Sequence, residues 1–402
     1  MSTPARWEYF RVLRERYRKE TSKSQRTKII DEGVANSGLH RKSVIRALRE
    51  ARHPDGGPPR WGRPRKYSAA CLEMLKRLYR VSDYQCSDKF KAMIPTLLSQ
   101  WRGPVDVAVL IELAAISAAS IDRYLRQYRG IERRRRNTRT RPGSRLFKKR
   151  IPLKSLGTIA PRPGYLQADT VSHGGESTLG EYIWSLTMTD ERIGWTENRG
   201  FRGKSAKRVL PAIQAAHLAL PFDLIAINVD NGSEFLNARV YEYFWYLAER
   251  KVIPFPMTRS RPYRKNDNCH VEQKNWTSVR QLFGYDRLED EELLPLMNEI
   301  YRVQNLISNF FIPQFKLKSK IRVGAKVKKT YDKPKTPYQR LLEDPTLPDE
   351  NKRKLREKYA TLNYFDLMDE REDLLARFEA LKKELNSKKT GNPSDPLSTA
   401  SR

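Results

Sequence analysis

The stretch Leu224-Ile225-Ala226-Ile227-Asn228-Val229-Asp230-Asn231-Gly232-Ser233-Glu234-Phe235 decides the fold class of this sequence. Its first half is almost wholly apolar, and the Asn-Gly pair that follows Asp230 is a turn signal, so a buried strand is predicted to end at Asp230. Open α/β sheets place their sites outside the carboxyl ends of strands. The stretch therefore predicts an α/β domain that presents the Asp230 carboxylate where chemistry is usually done.

The sequence on both sides of this stretch alternates between strand and helix patterns, which extends the predicted α/β domain over residues 161–311. Further strands are predicted at Tyr165 to Thr170, Tyr182 to Thr189, Trp195 to Phe201 and Val252 to Phe255, with helices at Lys204 to Leu220, Asn237 to Arg250 and from about Asn268. Asp169 falls within the first strand. A carboxylate in a buried strand is costly unless a cation meets it, so Asp169 is a second candidate for the site.

Glu272 is the third acidic candidate, because it heads a helix whose Trp276, Val279 and Phe283 are spaced to face the sheet. Three carboxylates without an offsetting Lys or Arg would raise each other's pKa, and a pair of divalent cations relieves this repulsion. Asp169, Asp230 and Glu272 are therefore predicted to be catalytic residues that hold two Mg²⁺ ions, with Mn²⁺ as a substitute.

These residues and their surroundings resemble the D,D,E core of the retroviral integrase superfamily, which has an RNase H-like fold, and in particular bacterial insertion-sequence transposases. The resemblance is carried by three stretches: Gln167-Ala168-Asp169-Thr170; Val229-Asp230-Asn231-Gly232-Ser233-Glu234-Phe235; and Ser260-Arg261-Pro262-Tyr263-Arg264-Lys265-Asn266-Asp267-Asn268, which leads into Val271-Glu272-Gln273-Lys274-Asn275. About forty residues separate the second aspartate from the glutamate. The resemblance covers roughly residues 164–311.

The resemblance implies a DNA transposase that binds terminal inverted repeats, cleaves the 3′ ends of the element in a metal-dependent reaction and transfers them into target DNA. It also implies a homo-oligomer on DNA, at least a dimer, because family members work on two DNA ends. Two alternatives stay open. One is a domesticated, non-catalytic DNA-binding protein, and the other is an RNase H-like nuclease.

Composition indicates a polyanionic partner. The 402 residues contain 78 Lys and Arg against 47 Asp and Glu, for a net charge of +31. This favours double-stranded DNA as the partner. Three scattered cysteines exclude a disulfide framework, and no apolar run is long enough for a membrane span. With no secretory signal at the N-terminus, the sequence predicts a cytoplasmic, nucleoid-associated protein.

The residues before the α/β domain are divided by the prolines, glycines and charge runs of the sequence. They predict a helix-turn-helix domain at 1–53, a basic AT-hook-like linker at 54–67, a second helical DNA-binding domain at 68–129 and a basic tether at 130–160. The predicted DNA contacts are Arg41, Lys42, Arg46, Arg63, Arg65, Ser120, Arg123, Arg133, Arg134, Arg135, Arg136, Arg264, Lys265 and Lys274.

After the core, the sequence predicts a small β domain at 312–346, a helical segment at 347–389 and a tail at 390–402. The fold class is thus multidomain, with N-terminal all-α domains, an RNase H-like α/β core, a small β domain and C-terminal helices. Two side chains near the core have two readings. Glu234 is a fourth carboxylate at the metals or, as we favour, a charge at a helix start, and Lys274 is a phosphate contact or part of a solvated face.

Overall fold

The computed structural model describes residues 3–49, 66–126, 150–153, 160–177, 179–251, 257–261, 269–324 and 326–390. Its contacts divide the chain into two units, Met1–Lys66 and Tyr67–Arg402. Among the described helices none is long and apolar enough to cross a membrane.

The described part of the first unit, residues 3–49, contains three helices: α1 (Thr3–Lys19), α2 (Lys23–Ser37) and α3 (Arg41–Arg49). Their apolar faces share a small core of Phe10, Leu13, Ile29, Ile30, Val44 and Leu48. Gly38 ends α2 in the left-handed conformation, with φ of 67°, and its amide donates to the Val34 carbonyl. The predicted turn between two helices at this point is confirmed, because glycine adopts that conformation without strain.

The centre of the second unit is a mixed five-stranded sheet. Its strands are β1 (Tyr165–Ser172), β2 (Ile183–Asp190), β3 (Thr196–Arg202), β4 (Ala226–Val229) and β5 (Met257–Arg259). They lie in the order β3-β2-β1-β4-β5. The first three are antiparallel neighbours, whereas β4 runs parallel to β1 and β5 parallel to β4. This mixed sheet, with its helices, is consistent with an RNase H-like core.

Helices accompany the sheet in the order that the sequence predicts. They are α8 (Ala206–Leu218), α9 (Ala238–Lys251), α10 (Cys269–Lys274) with a π-helical turn (Asn275–Arg280) and α11 (Gln281–Phe283), and α12 (Leu293–Leu306) with a second π-helical turn (Ile307–Phe311). We call residues 269–283 the Glu272 helix. The strand predicted at 252–255 lies outside the described residues. The described strand next to β4 is Met257–Arg259.

The second helical segment contains α4 (Ala69–Val81), α5 (Ser87–Ser99), α6 (Val107–Ala115) and α7 (Ala118–Leu125). Its buried side chains belong to the same hydrophobic cluster as those of the sheet. Arg371 links it to the C-terminal part through two hydrogen bonds to Asp83, at 2.7 and 2.9 Å. This segment therefore shares the core of the sheet.

The residues after the core form a hairpin, β6 (Leu317–Val323) and β7 (Lys326–Tyr331), followed by α13 (Pro337–Glu343), α14 (Asp349–Ala360) and α15 (Tyr364–Thr390). A capping box at Thr336 and Gln339 starts α13. The predicted β element and C-terminal helices are therefore present. The finer domain boundaries stay predictions.

Candidate active site

Asp169 and Asp230 lie side by side at the same edge of the sheet. Strands β1 and β4 are parallel, and their last aligned pair before the two aspartates is Ala168 opposite Val229. The next residue of each strand is therefore an aspartate, so the two carboxylates are neighbours. The sequence predicts Asp169 within a buried strand and Asp230 at the end of another, and the parallel register explains why they meet.

Asp169 is held by two hydrogen bonds. Its Oδ1 accepts from the Thr170 amide at 2.8 Å, and its Oδ2 accepts from Asn275 Nδ2 at 2.7 Å. Burial and then the charge of Asp230 raise its pKa to about 7, and these donors only partly offset the rise. The side chain is therefore oriented but poorly neutralised.

Asp230 follows the end of β4 and accepts one described hydrogen bond, from the Gly232 amide to Oδ1 at 2.8 Å. Burial and then the charge of Glu234 raise its pKa to about 6, and Lys204 lowers it only in part. Like Asp169, it carries a carboxylate whose ionised form lacks a matching positive charge.

Glu234 lies beside this pair, in the turn before α9, and its side chain is buried. Its Oε1 accepts from Thr170 Oγ1 at 2.8 Å, and its Oε2 lies 3.1 Å from Lys204 Nζ in an ion pair without hydrogen-bond geometry. The reading of Glu234 as a helix-start charge is wrong, because α9 begins only at Ala238 and the carboxylate is 1% exposed. Gly232 is needed here, since a Cβ at that position would lie 2.4 Å from the Glu234 carboxylate.

The expectation that no Lys or Arg lies near the predicted carboxylate site is also wrong, because Lys204 pairs with Glu234 beside the two aspartates. Lys204 precedes α8, and its ammonium also lies 5.0 Å from the centre of the Trp184 ring. The sequence offered no signal for it, because a lysine just before a helix is ordinarily a surface residue. Only the packing of α8 against the sheet brings it to Glu234.

The Glu272 helix is fixed to strand β1 at its first turn. The side-chain carbonyl of Gln167 accepts from the amides of His270 and Val271, at 3.2 and 3.3 Å. These amides have no partner within the helix, so Gln167 acts as its cap. Sequence reasoning missed both Gln167 and Asn275, although they belong to the two stretches that carry the resemblance.

Glu272 itself lies three residues before Asn275, the residue that contacts Asp169, and its side chain is exposed. Within the described ranges, no group of three or more His, Cys, Asp or Glu side chains is arranged to hold a metal ion. The structure thus brings Asp169 and Asp230 together and places Glu272 on the adjoining helix, but it does not gather all three. The role of Glu272 as a ligand stays a prediction.

The predicted DNA contacts are spread over both units. Arg41, Lys42 and Arg46 are exposed on α3, and Arg123 is exposed on α7. Ser120 is half-buried, and its amide donates to the Ser117 side chain at the start of α7. Lys274 is half-buried on the Glu272 helix. The remaining predicted contacts lie outside the described residues: Arg63, Arg65, Arg133, Arg134, Arg135, Arg136, Arg264 and Lys265.

Comparison with known proteins gives three results. No family model matches the chain. Among solved structures, the catalytic core domain of BIV integrase covers 45% of this chain and 94% of its own, at 15% identity and a TM-score of 0.28, a likeness on which we base no argument. The uncharacterized protein y4rM of Sinorhizobium fredii (strain NBRC 101917 / NGR234) is 36% identical over 348 residues, which cover 85% of this chain and 96% of that protein. By this match the chain belongs to the family of the uncharacterized protein y4rM.

Proposed function

We propose that the chain is a metal-dependent polynucleotidyl transferase, and specifically a DNA transposase that cleaves the 3′ ends of its element and joins them to target DNA. The observation that supports this most directly is the Asp169 and Asp230 pair. Both are half-buried carboxylates with raised pKa values, Asp169 within β1 and Asp230 just after the end of the parallel strand β4. Such strongly perturbed neighbours in one site are typical of catalytic carboxylates.

The donor set fits a divalent cation. Carboxylate oxygens are the ligands that Mg²⁺ and Mn²⁺ prefer. A cation beside Asp169 and Asp230 would offset the burial and the neighbouring negative charges that raise their pKa values. We assign Glu272 as the third ligand from its position one helical turn before Asn275. When bound, the two metal ions that we propose would activate an attacking oxygen and stabilise the leaving oxygen of a phosphodiester.

The surrounding residues keep the aspartates available for that role. Asn275 and the Thr170 amide fix the orientation of the Asp169 carboxylate, and the Gly232 amide fixes that of Asp230. Lys204 pairs with Glu234, so one of the nearby carboxylates is neutralised internally. The charge that remains for metal ions is therefore chiefly that of the two aspartates.

The test is strand cleavage and strand transfer on a labelled duplex that carries the terminal repeats, in Mg²⁺ or Mn²⁺. Asp169→Asn, Asp230→Asn and Glu272→Gln keep the side-chain shape but remove a charge, and each should lower the cleavage rate by roughly 10²-fold or more. Asp223→Asn is the matched control, because Asp223 precedes the same strand β4 at its other end. It should cleave at the wild-type rate.

Each substitution decides a separate part of the proposal. Wild-type cleavage by Asp169→Asn or Asp230→Asn would refute the proposed chemistry. Wild-type cleavage by Glu272→Gln alone would remove only that residue from the ligand set. DNA binding by all variants, measured without metal, checks that they are folded. Cleavage by the wild type separates a transposase from a DNA-binding protein without turnover, since only a transposase has a cleavage rate that the substitutions can lower.

A further inference from the structure

A polar cavity of about 320 Å³ adjoins the Glu272 helix on a face other than the one that bears Asn275. Gln273, Thr277 and Gln281 recur every four residues along the helix, so they share this face, and Lys274 lies next to them. Among the described residues that line the cavity, neither Asp169 nor Asp230 is present. The cavity is therefore a site distinct from the aspartate pair.

Three parts of the second unit form the remaining walls. Gln85 and Lys89 come from the second helical segment, Gln304 and Ser308 from α12 and the π-helical turn that follows it, and Lys316 from the base of the hairpin. Any ligand in the cavity would therefore contact the helical segment, the core and the hairpin together.

Three lysines, Lys89, Lys274 and Lys316, line this cavity. The charges of Asp190, Glu191 and Asp332 act on Lys316 and offset part of its positive charge. Lys316 Nζ donates to the Glu191 carbonyl at 2.8 Å, whereas Lys89 and Lys274 make no ion pair or hydrogen bond with the described residues. The acidic residue in the lining, Asp83, is occupied by both arms of Arg371, at 2.7 and 2.9 Å. The cavity therefore has an excess of positive charge.

The ammonium groups of these lysines also repel one another. Lys89, Lys274 and Lys316 converge on one cavity from three different elements. Burial lowers the pKa of Lys89, and it lowers that of Lys316 to about 8 although Asp190 is near. Converging ammonium groups of this kind repel each other unless an anion lies between them.

The lining excludes an apolar ligand. Thr189, Ser278 and Ser308 are buried polar side chains in the wall, and glutamines contribute from three sides. A dry void in a protein is lined by apolar side chains, whereas hydroxyls, amides and ammonium groups together provide donors for an oxyanion.

We propose that this cavity is a phosphate-binding site in which Lys89, Lys274 and Lys316 bind a phosphate oxyanion. The phosphate belongs either to a free polyphosphate or to a nucleic acid backbone. The site is independent of the aspartate pair, and the proposal does not rest on the proposed catalytic function. Its test needs no cleavage, so either proposal can fail while the other stands.

The first experiment measures the thermal unfolding midpoint of the full chain with increasing sodium tripolyphosphate, with EDTA present and ionic strength held constant with NaCl. If the ligand is a free polyphosphate, the midpoint rises, and Lys89→Met and Lys274→Met each weaken the apparent affinity about tenfold. Lys91→Met is the matched control, because Lys91 is exposed on the same helix as Lys89 and should behave as the wild type.

The second experiment measures binding of duplex DNA to the same variants at several salt concentrations, without metal. If the phosphate belongs to DNA, Lys89→Met and Lys274→Met each reduce the slope of log affinity against log salt by about one relative to Lys91→Met. A response in either experiment supports the site and identifies its source. If both variants match Lys91→Met in both experiments, the proposal is overturned.

Equal midpoints of the variants without anion verify that they fold. If Lys274→Met does not fold, Lys89→Met still tests the proposal, since Lys89 lies on a different helix.

Discussion

The two sides of the Glu272 helix carry opposite unbalanced charges. Toward β1, Asn275 donates to Asp169 of the aspartate pair. Burial and the charge of Asp230 raise the pKa of Asp169, and burial and the charge of Glu234 raise that of Asp230. Toward the cavity, Lys274 faces two further lysines, and burial and repulsion lower its pKa. Glu234 and Lys204 show the contrasting case, a buried acid that the chain neutralises itself. The comparison indicates that the unpaired negative charge on one side is a place for a cation. The unpaired positive charge on the other side is a place for an anion.

The largest effect on stability should come from breaking the balanced pair. Glu234→Gln leaves Lys204 without its counter-charge, and we expect a loss of roughly 2 to 4 kcal/mol in the free energy of unfolding. The measurement is urea denaturation of the metal-free protein. Adding Lys204→Met to Glu234→Gln should recover most of the loss. Equal stability of Glu234→Gln and wild type would mean that the pair is not what distinguishes Glu234 from the aspartates.

Divalent cations should stabilise the folded protein by binding at the aspartate pair and not at the lysine-lined cavity. At a Mg²⁺ concentration about 100 times the dissociation constant, the expected gain is about 2.7 kcal/mol, since the ion binds the folded state. Thermal unfolding with and without Mg²⁺ measures it. Asp169→Asn and Asp230→Asn should lose most of this gain, whereas Lys89→Met on the other side should keep it. A gain unchanged in both aspartate variants would contradict the metal site.

Stability of the metal-free protein should depend on pH through the aspartate pair. Both pKa values are raised on folding, so protonated carboxyls favour the folded state and this contribution is lost as pH rises through about 6 to 7. Asp169→Asn should unfold roughly 2 to 4 °C above wild type at pH 8. At pH 4 the two midpoints should converge. The same difference at both pH values would assign the effect to packing instead of charge.

The smallest effect should come from exposed basic residues outside both sites. Arg46→Ala on α3 should reduce the salt slope of DNA binding by about one if Arg46 contacts a phosphate, with little change in stability. The control is Arg11→Ala, an exposed arginine on α1 that pairs with Glu8. Identical slopes for the two variants would remove Arg46 from the predicted contacts.

Local patterns in the sequence predicted most of the elements around the site. The apolar run before Asp230 and the strand pattern at Tyr165 to Thr170 indicated two buried strands, and both strands are present. The helix-turn-helix predicted within residues 1–53 requires a turn between two helices, and Gly38 ends a helix there. These features depend on neighbours within a few residues along the chain, and sequence periodicity contains that information.

The partners of the site could not be predicted, because they are set by packing between distant residues. Lys204 reaches Glu234 across the edge of the sheet, and Asn275 reaches Asp169 from a helix more than a hundred residues later. Lys274 was predicted to contact DNA or to lie on a solvated face, and the structure places it half-buried in a cavity whose other walls are far away in sequence. No local pattern distinguishes these positions from ordinary surface residues.

The π-helical turn Asn275–Arg280 determines where a deletion in the Glu272 helix would be tolerated. Such a turn accommodates one more residue than an α-helical turn, so removing a single residue within it would return the segment to ordinary helical geometry and leave the later side chains in register. Phe283 would keep its packing against Tyr301, and Arg280 would keep its hydrogen bond to the Ser172 carbonyl. Removing a residue from the α-helical part would instead rotate every later side chain by about 100°. Relatives can therefore lose one residue inside this turn without changing what the last turn of the helix packs against.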